Sequence, residues 1–276
     1  TVLDHYYNST DRYSEGHSNY SSPFEGCTSL KRVEVDAGVT ELPMYVFRYV
    51  TGLEEIILPE SLTKINKYAF DGCIKLKTVI FPESLESILE YAFINCTTLQ
   101  TIEMPESLQE IASYAFSGCA GMKEAVLNEG LVTIGRSAFE GCSGLRSITL
   151  PASLKTLEVA VFKNCTGITK ANYPMGWKSS PGGNGSYNNE RGGIYYGCSN
   201  LKKIEIPDGV TVVAPYAFSY CASLTEMLVS KTNAFVNASC VPVTPSLCSA
   251  PLIFFKYVFV FESYVNVAVA APKSIF

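Results

Sequence analysis

The chain has 276 residues, 47% of them hydrophobic and only 17% charged, with a net charge of −5. Apolar material is ample for a core, and the acidic balance leaves no basic footprint for nucleic acid or an anionic membrane. Ten cysteines would suit a disulfide scaffold or metal sites, yet no CxxC pair occurs.

Residues 1–23 are polar. They hold both histidines, His5 and His17, and neither has a companion at metal-ligand or catalytic-triad spacing, so each is expected to be a solvated loop residue. The stretch is read as the polar tail of a preceding repeat unit. Thr1 is not an initiator and no signal-like stretch opens the chain, so the sequence is expected to be a fragment of a longer protein.

From Phe24 onward a beat of 23 residues takes over. Phe24, Phe47, Phe70, Phe93, Phe116, Phe139 and Phe162 fall on it, and Tyr195 and Phe218 resume it after one insertion. A cysteine follows three residues later at Cys27, Cys73, Cys96, Cys119, Cys142, Cys165, Cys198 and Cys221, while Val50 stands where the beat wants another. A fixed period of this length means a solenoid of stacked units. In such a stack equivalent side chains point the same way rather than at each other, which disfavours disulfides between successive coils. A position that accepts valine wants a small apolar filler. The column is therefore expected to be a ladder of buried free thiols, with no metal bound.

One unit, residues 76–98, reads LKTVIFPESLESILEYAFINCTT, and the shared frame is LxxIxLPxSLxxIxxxAFxxCxx. Leu76, Val79 and Phe81 alternate as a short strand with one buried face. Pro82 ends it, and Ser84-Leu85 with Ile88 predicts a second brief extended segment on the opposite side. Glu90-Tyr91-Ala92-Phe93 is read as one helical or 3₁₀ turn that aims Phe93 and Cys96 inward. Asn95, Gly72, Gly118 and Gly141, each just before a cysteine, suit a turn that needs positive φ.

The AFxxC and LPxSL elements of this frame resemble the BspA-like (Treponema pallidum type) class of leucine-rich repeats, over about residues 24–230. The resemblance implies a right-handed leucine-rich-repeat solenoid of about nine coils. It would carry one parallel β-sheet along an arc, with short helical or 3₁₀ turns opposite. It further implies a secreted or cell-surface setting and a role in adhesion or protein binding, without catalysis. A host surface or matrix protein would then be the partner, and the runner-up role is a structural spacer that presents another domain.

Residues 175–194, MGWKSSPGGNGSYNNERGGI, insert ten extra residues into one step and hold the only tryptophan, Trp177. A polar loop thrown out from a rigid scaffold is a natural place for binding groups. Residues 33–47 and 204–218 are alike, 171 positions apart, which suggests a longer super-repeat. After Ser230 the frame is lost, and residues 231–276 are atypically apolar. They read as a cap on the last coil, as a poor membrane anchor interrupted by Lys256 and Glu262, or as residues outside the natural reading frame.

Nothing catalytic emerges. Gly182-Gly183-Asn184-Gly185 follows no strand and opens no helix, so it is loop rather than phosphate cradle. Glu54-Glu55 falls on a strand and reads as solvated face rather than an acid/base pair. Asn95 and Asn164 begin N-x-T triplets but fall in the turn expected to face the core. No cofactor is implied. What remains is the outward face of the main strands, where the pleat should expose pairs such as Glu55/Ile57 and Thr78/Ile80. Ile57 and Ile80 adjoin in neighbouring coils and are the candidate protein contact, with Trp177 as a second. Cys73, Cys96, Cys119, Cys142, Cys165, Cys198 and Cys221, with Phe70, Phe93, Phe116 and Phe139, are assigned to the structural ladder.

Overall fold

A computed structural model describes residues 22–175, 193–210, 213, 216–230 and 264–268. Nine strands make the main face of the stack. They are β1 (Arg32–Glu34), β3 (Glu55–Ile57), β5 (Thr78–Val79), β7 (Thr101–Glu103), β9 (Glu124–Val126), β11 (Ser147–Ile148), β13 (Lys170–Asn172), β14 (Lys203–Ile206) and β15 (Glu226–Ser230). Six two-residue strands make a second face: β2 (Glu41–Leu42), β4 (Lys64–Ile65), β6 (Ser87–Ile88), β8 (Glu110–Ile111), β10 (Thr133–Ile134) and β12 (Thr156–Leu157). Each pairs in parallel with the equivalent strand of a neighbouring coil, as Arg32 with Glu55 and Ile65 with Ile88, except that β9 and β11 are not paired with each other. The main face runs as β1 to β9 and again as β11 to β15. Between β9 and β11 the Arg146 N–H still donates to the Lys123 carbonyl at 3.3 Å.

The turn segment departs from expectation. Among the described residues the AFxxC segment is neither helical nor 3₁₀; it is a chain of tight turns. Tyr91 (φ 61°) and Asn95 (φ 60°), four residues apart, both lie in the left-handed region, and a right-handed helix cannot pass through them. Alternate N–H groups divide the work. Ala92, Ile94 and Cys96 close turns onto Leu89, Tyr91 and Phe93, whereas Tyr91, Phe93 and Asn95 donate to the carbonyls of Ser113, Ala115 and Ser117 in the next coil. The segment is thus a third inter-coil ladder, which is why its backbone polar groups can sit against a core.

That ladder has a conformational cost. A left-handed residue other than glycine costs about 1–2 kcal/mol. The positions before the cysteines meet it with Gly72, Gly118, Gly141, Asn95 and Asn164, as the sequence pattern suggests. The positions four residues earlier meet it with tyrosine at Tyr45, Tyr68, Tyr91 and Tyr114. Their half-buried rings stack coil on coil at 5.1, 4.7 and 5.0 Å, and each such contact offsets part of the strain.

The core is a column on the same principle. Phe70, Phe93, Phe116, Phe139 and Phe162 are fully buried and stack in sequence at 4.7, 5.1, 5.3 and 5.4 Å, flanked by buried leucine and isoleucine columns. The insertion does not disturb it. Tyr195 stacks on Phe162 at 5.6 Å and Lys203 pairs with Lys170, so the extra residues leave the stack between Met175 and Gly193 without shifting register. Beyond β15 the sheet gains β16 (Tyr264–Ala268), which pairs antiparallel. No helix among the described residues is long and apolar enough to cross a membrane.

Truncating one ring in mid-stack removes two stacking contacts and leaves a cavity that neither neighbouring coil can fill. Phe116→Ala is expected to lower unfolding free energy by about 3–5 kcal/mol. Urea titration followed by circular dichroism measures it, and a loss below about 1 kcal/mol would contradict the column as the main stabilising element.

Candidate binding face

Outward-pointing positions of the main strands form two columns, because a pleated strand turns alternate side chains away from the core. Exposed Arg32, Glu55 and Glu124 lie in one; Glu34, Ile57, Ile80, Glu103 and Val126 lie in the other. The structure therefore brings Ile57 and Ile80 side by side in adjacent coils. Ile57 is half-buried, and Ile80 is 84% exposed, far above any other large apolar side chain described. Between them lies a shallow groove of about 190 Å³, lined by Glu55, Ile57, Leu58, Glu60, Thr78 and Ile80. Trp177 lies outside the described residues. The loop that carries it leaves from Met175 and returns at Gly193, in the part of its coil where other coils place a second-face strand. Met175 stands at the turn position that Glu60 and Glu83 occupy in their coils, and Gly193 stands in the turn segment two residues before Tyr195.

Charges on this surface pair with themselves one coil on. Arg32 meets Glu55 at 3.4 Å and Lys77 meets Glu54 at 3.0 Å. Exposed pairs of this kind contribute little, about 0–1 kcal/mol each, but they keep like charges from stacking. One pair differs. Asp71 is buried and takes Arg48 Nε at 2.8 Å, while the guanidinium lies over the Tyr45, Tyr49 and Tyr68 rings, 4.6 Å from Tyr49. Burial pushes the Asp71 carboxyl above its ordinary value and Arg48 pulls it back. The sequence reading missed this cluster, although opposite charges 23 residues apart announce it.

The ladder cysteines are buried free thiols from Cys73 to Cys221, and Cys27 in the first described coil is exposed. They do more than fill space. Each Sγ donates to the carbonyl of the ring residue in the preceding coil, as Cys96 to Phe70 and Cys119 to Phe93, at 3.1 and 3.2 Å. The Phe70 carbonyl already accepts the Cys73 N–H at 3.1 Å, so the thiol satisfies its second lone pair. Burial pushes the Cys73, Cys119 and Cys221 thiols up to about 12. No nucleophile results, because the thiolate is the reactive form. Asn95 and Asn164 prove exposed: their turn faces the core through Phe and Cys, and the left-handed backbone turns the asparagine out. Among the described residues no three His, Cys, Asp or Glu groups gather to hold a metal.

Comparison with known proteins agrees with the repeat geometry. A family described as BspA type leucine rich repeat region, in six copies, matches residues 17–142, 63–182 and 184–250. No curated protein matches the chain. Among solved structures, the pneumococcal vaccine antigen PcpA is similar at 24% identity over 78% of this chain and 63% of that one, with a TM-score of 0.52. The Treponema pallidum leucine-rich-repeat protein is 26% identical over 70% of this chain and 77% of its own, with a TM-score of 0.43. A leucine-rich-repeat protein of Bacteroides ovatus is 24% identical over 80% and 67%, with a TM-score of 0.46.

Two measurements follow from the thiols. Native protein at pH 8 should leave the seven buried ladder cysteines unlabelled by a thiol reagent, and denatured, unreduced protein should then titrate one thiol for each; far fewer would mean disulfides. Folded thiols titrate above their unfolded value, so their stabilising contribution is complete below about pH 8.5 and is lost as pH rises. The urea midpoint is expected to fall steadily between pH 8.5 and the folded value near 12. A Cys96→Val, Cys119→Val variant should show a shallower fall.

Proposed function

Because this chain belongs to the BspA-type leucine-rich-repeat family, we propose that it is a non-catalytic protein-binding module of a secreted or surface protein, adhesive in role. The observation that carries the reading is Ile80, 84% exposed beside Ile57 on a rigid sheet whose other apolar columns are closed. A scaffold that buries every phenylalanine from Phe47 to Phe218 has no folding reason to leave an isoleucine in water. Backbone ladders on three sides hold the patch, so a partner pays little ordering cost to meet it.

In this proposal residues 24–230 act as one binding unit, the 175–194 loop with Trp177 supplies a second contact, and 231–276 cap the array. Repeat modules of this class commonly bind proteins, and the pneumococcal relative is a vaccine antigen, which fits an outward-facing setting. Matrix and host-surface proteins are the partners to try first.

Purified matrix proteins retained by the intact chain provide the assay. Ile57→Ser and Ile80→Ser should each weaken retention by about tenfold or more while circular dichroism stays unchanged, since the side chains point out of the core. A ligand retained equally by both variants, and by Trp177→Ala, would place binding elsewhere.

A further inference from the structure

Most charged columns on this solenoid alternate in sign from coil to coil. Lys31, Glu54 and Lys77 form one such column, Glu41 with Lys64 another, and Lys67 with Glu90 a third. Beside the isoleucine pair the alternation stops. Glu60, Glu83 and Glu106 occupy the same turn position in three successive coils, all exposed, and none makes an ion pair among the described residues. Glu34 and Glu103 bracket Ile57 and Ile80 along the strand column and are likewise exposed without an ion pair. Stacked coils place equivalent residues about 4.8 Å apart, where like charges repel even in water.

The turn backbone that carries these glutamates is pinned coil to coil. Each of the three turn glutamates precedes a serine whose Oγ donates to a carbonyl of the preceding coil. Ser61 donates to Val39 at 2.8 Å, Ser84 to Leu62 at 2.7 Å and Ser107 to Leu85 at 2.7 Å. The result is a groove floored by the isoleucine pair, with Glu60 in its lining and Glu83 and Glu106 following in the same turn column, none of the three in an ion pair.

We propose that this groove takes a cationic, aliphatic polypeptide segment in extended form. One or two aliphatic side chains would rest on Ile57 and Ile80, and lysine or arginine side chains would reach the Glu60, Glu83 and Glu106 rim. Charge complementarity selects the occupant: an acidic or neutral segment would add to the repulsion or leave it unrelieved. An extended segment can follow the column, because a strand rises about 3.3 Å per residue and about three residues span the two steps of roughly 4.8 Å from Glu60 to Glu106. The inference deepens the protein-binding reading and rests on it.

Heptapeptides alternating isoleucine with lysine, with glutamate or with serine, fluorescently tagged, separate the two claims by anisotropy on the whole chain. The lysine peptide should bind at least about tenfold more tightly than the serine peptide, and its affinity should fall as salt rises. Glu60→Gln with Glu83→Gln should remove that advantage and leave the serine peptide unaffected. Ile80→Ser should weaken both peptides. Equal binding of all three peptides, lost in Ile80→Ser, would overturn the cationic preference and leave the protein-binding patch standing. Lysine-peptide binding that survives Ile80→Ser would be diffuse attraction and would overturn the groove itself. Absence of any binding at 1 mM of the lysine peptide would overturn the proposal (a dissociation constant above about 1 mM is worth less than about 4 kcal/mol).

Discussion

Every feature of this structure follows from one constraint: each coil must offer its backbone hydrogen bonds to the next coil at the same positions. Three ladders do this, through the main strands, the two-residue strands and the turn segment. Once they are set, residue i must sit on residue i+23. Any side chain that recurs therefore meets a copy of itself, and only side chains that tolerate self-contact can recur. Aromatic rings stack. A thiol donates to the ring residue's carbonyl in the coil behind it, and the thiol one coil on finds the equivalent carbonyl in its turn. Charges must change sign at each step or stay apart.

The sequence announces the parts of this arrangement that depend on side-chain identity. Phe93 and Cys96 recur because the core admits little else, and Ile88 marks the second strand because it must be buried. The insertion is visible because the beat halts at Phe162 and resumes at Tyr195. The turn was misread for a physical reason. Phe93 and Cys96, three apart and both inward, fit a 3₁₀ turn as well as they fit two joined turns, and tyrosine is a poor advertisement for a left-handed backbone. Only the stacked ladder makes Tyr68 and Tyr91 affordable there, and that is a property of the assembled coils. The Arg48 and Asp71 pair was legible in principle, from opposite signs 23 positions apart, but only to a reading that compared coils column by column.

The far edge illustrates the same constraint in reverse. A parallel strand after β15 would need a further full coil behind it, since parallel neighbours require a long crossover. An antiparallel strand needs none, and β16 pairs with β15 from Glu226 with Ala268 to Ser230 with Tyr264. Antiparallel pairing satisfies the open edge without extending the repeat, which also denies that edge to another chain.

Departures from self-compatibility then become the places to look for function. Phe, Cys and Tyr columns explain themselves through neighbours in the stack. Glu60, Glu83 and Glu106 do not: their column stacks like on like, on a turn backbone that the neighbouring serines pin to the coil behind. Ile80 does not either, since a residue 84% exposed contributes almost nothing to folding. Two unexplained columns that border one groove are harder to attribute to chance than either alone. The aromatic and thiol columns are settled from within, and this one is left to be settled from outside, by a partner that brings positive charge and an aliphatic surface together.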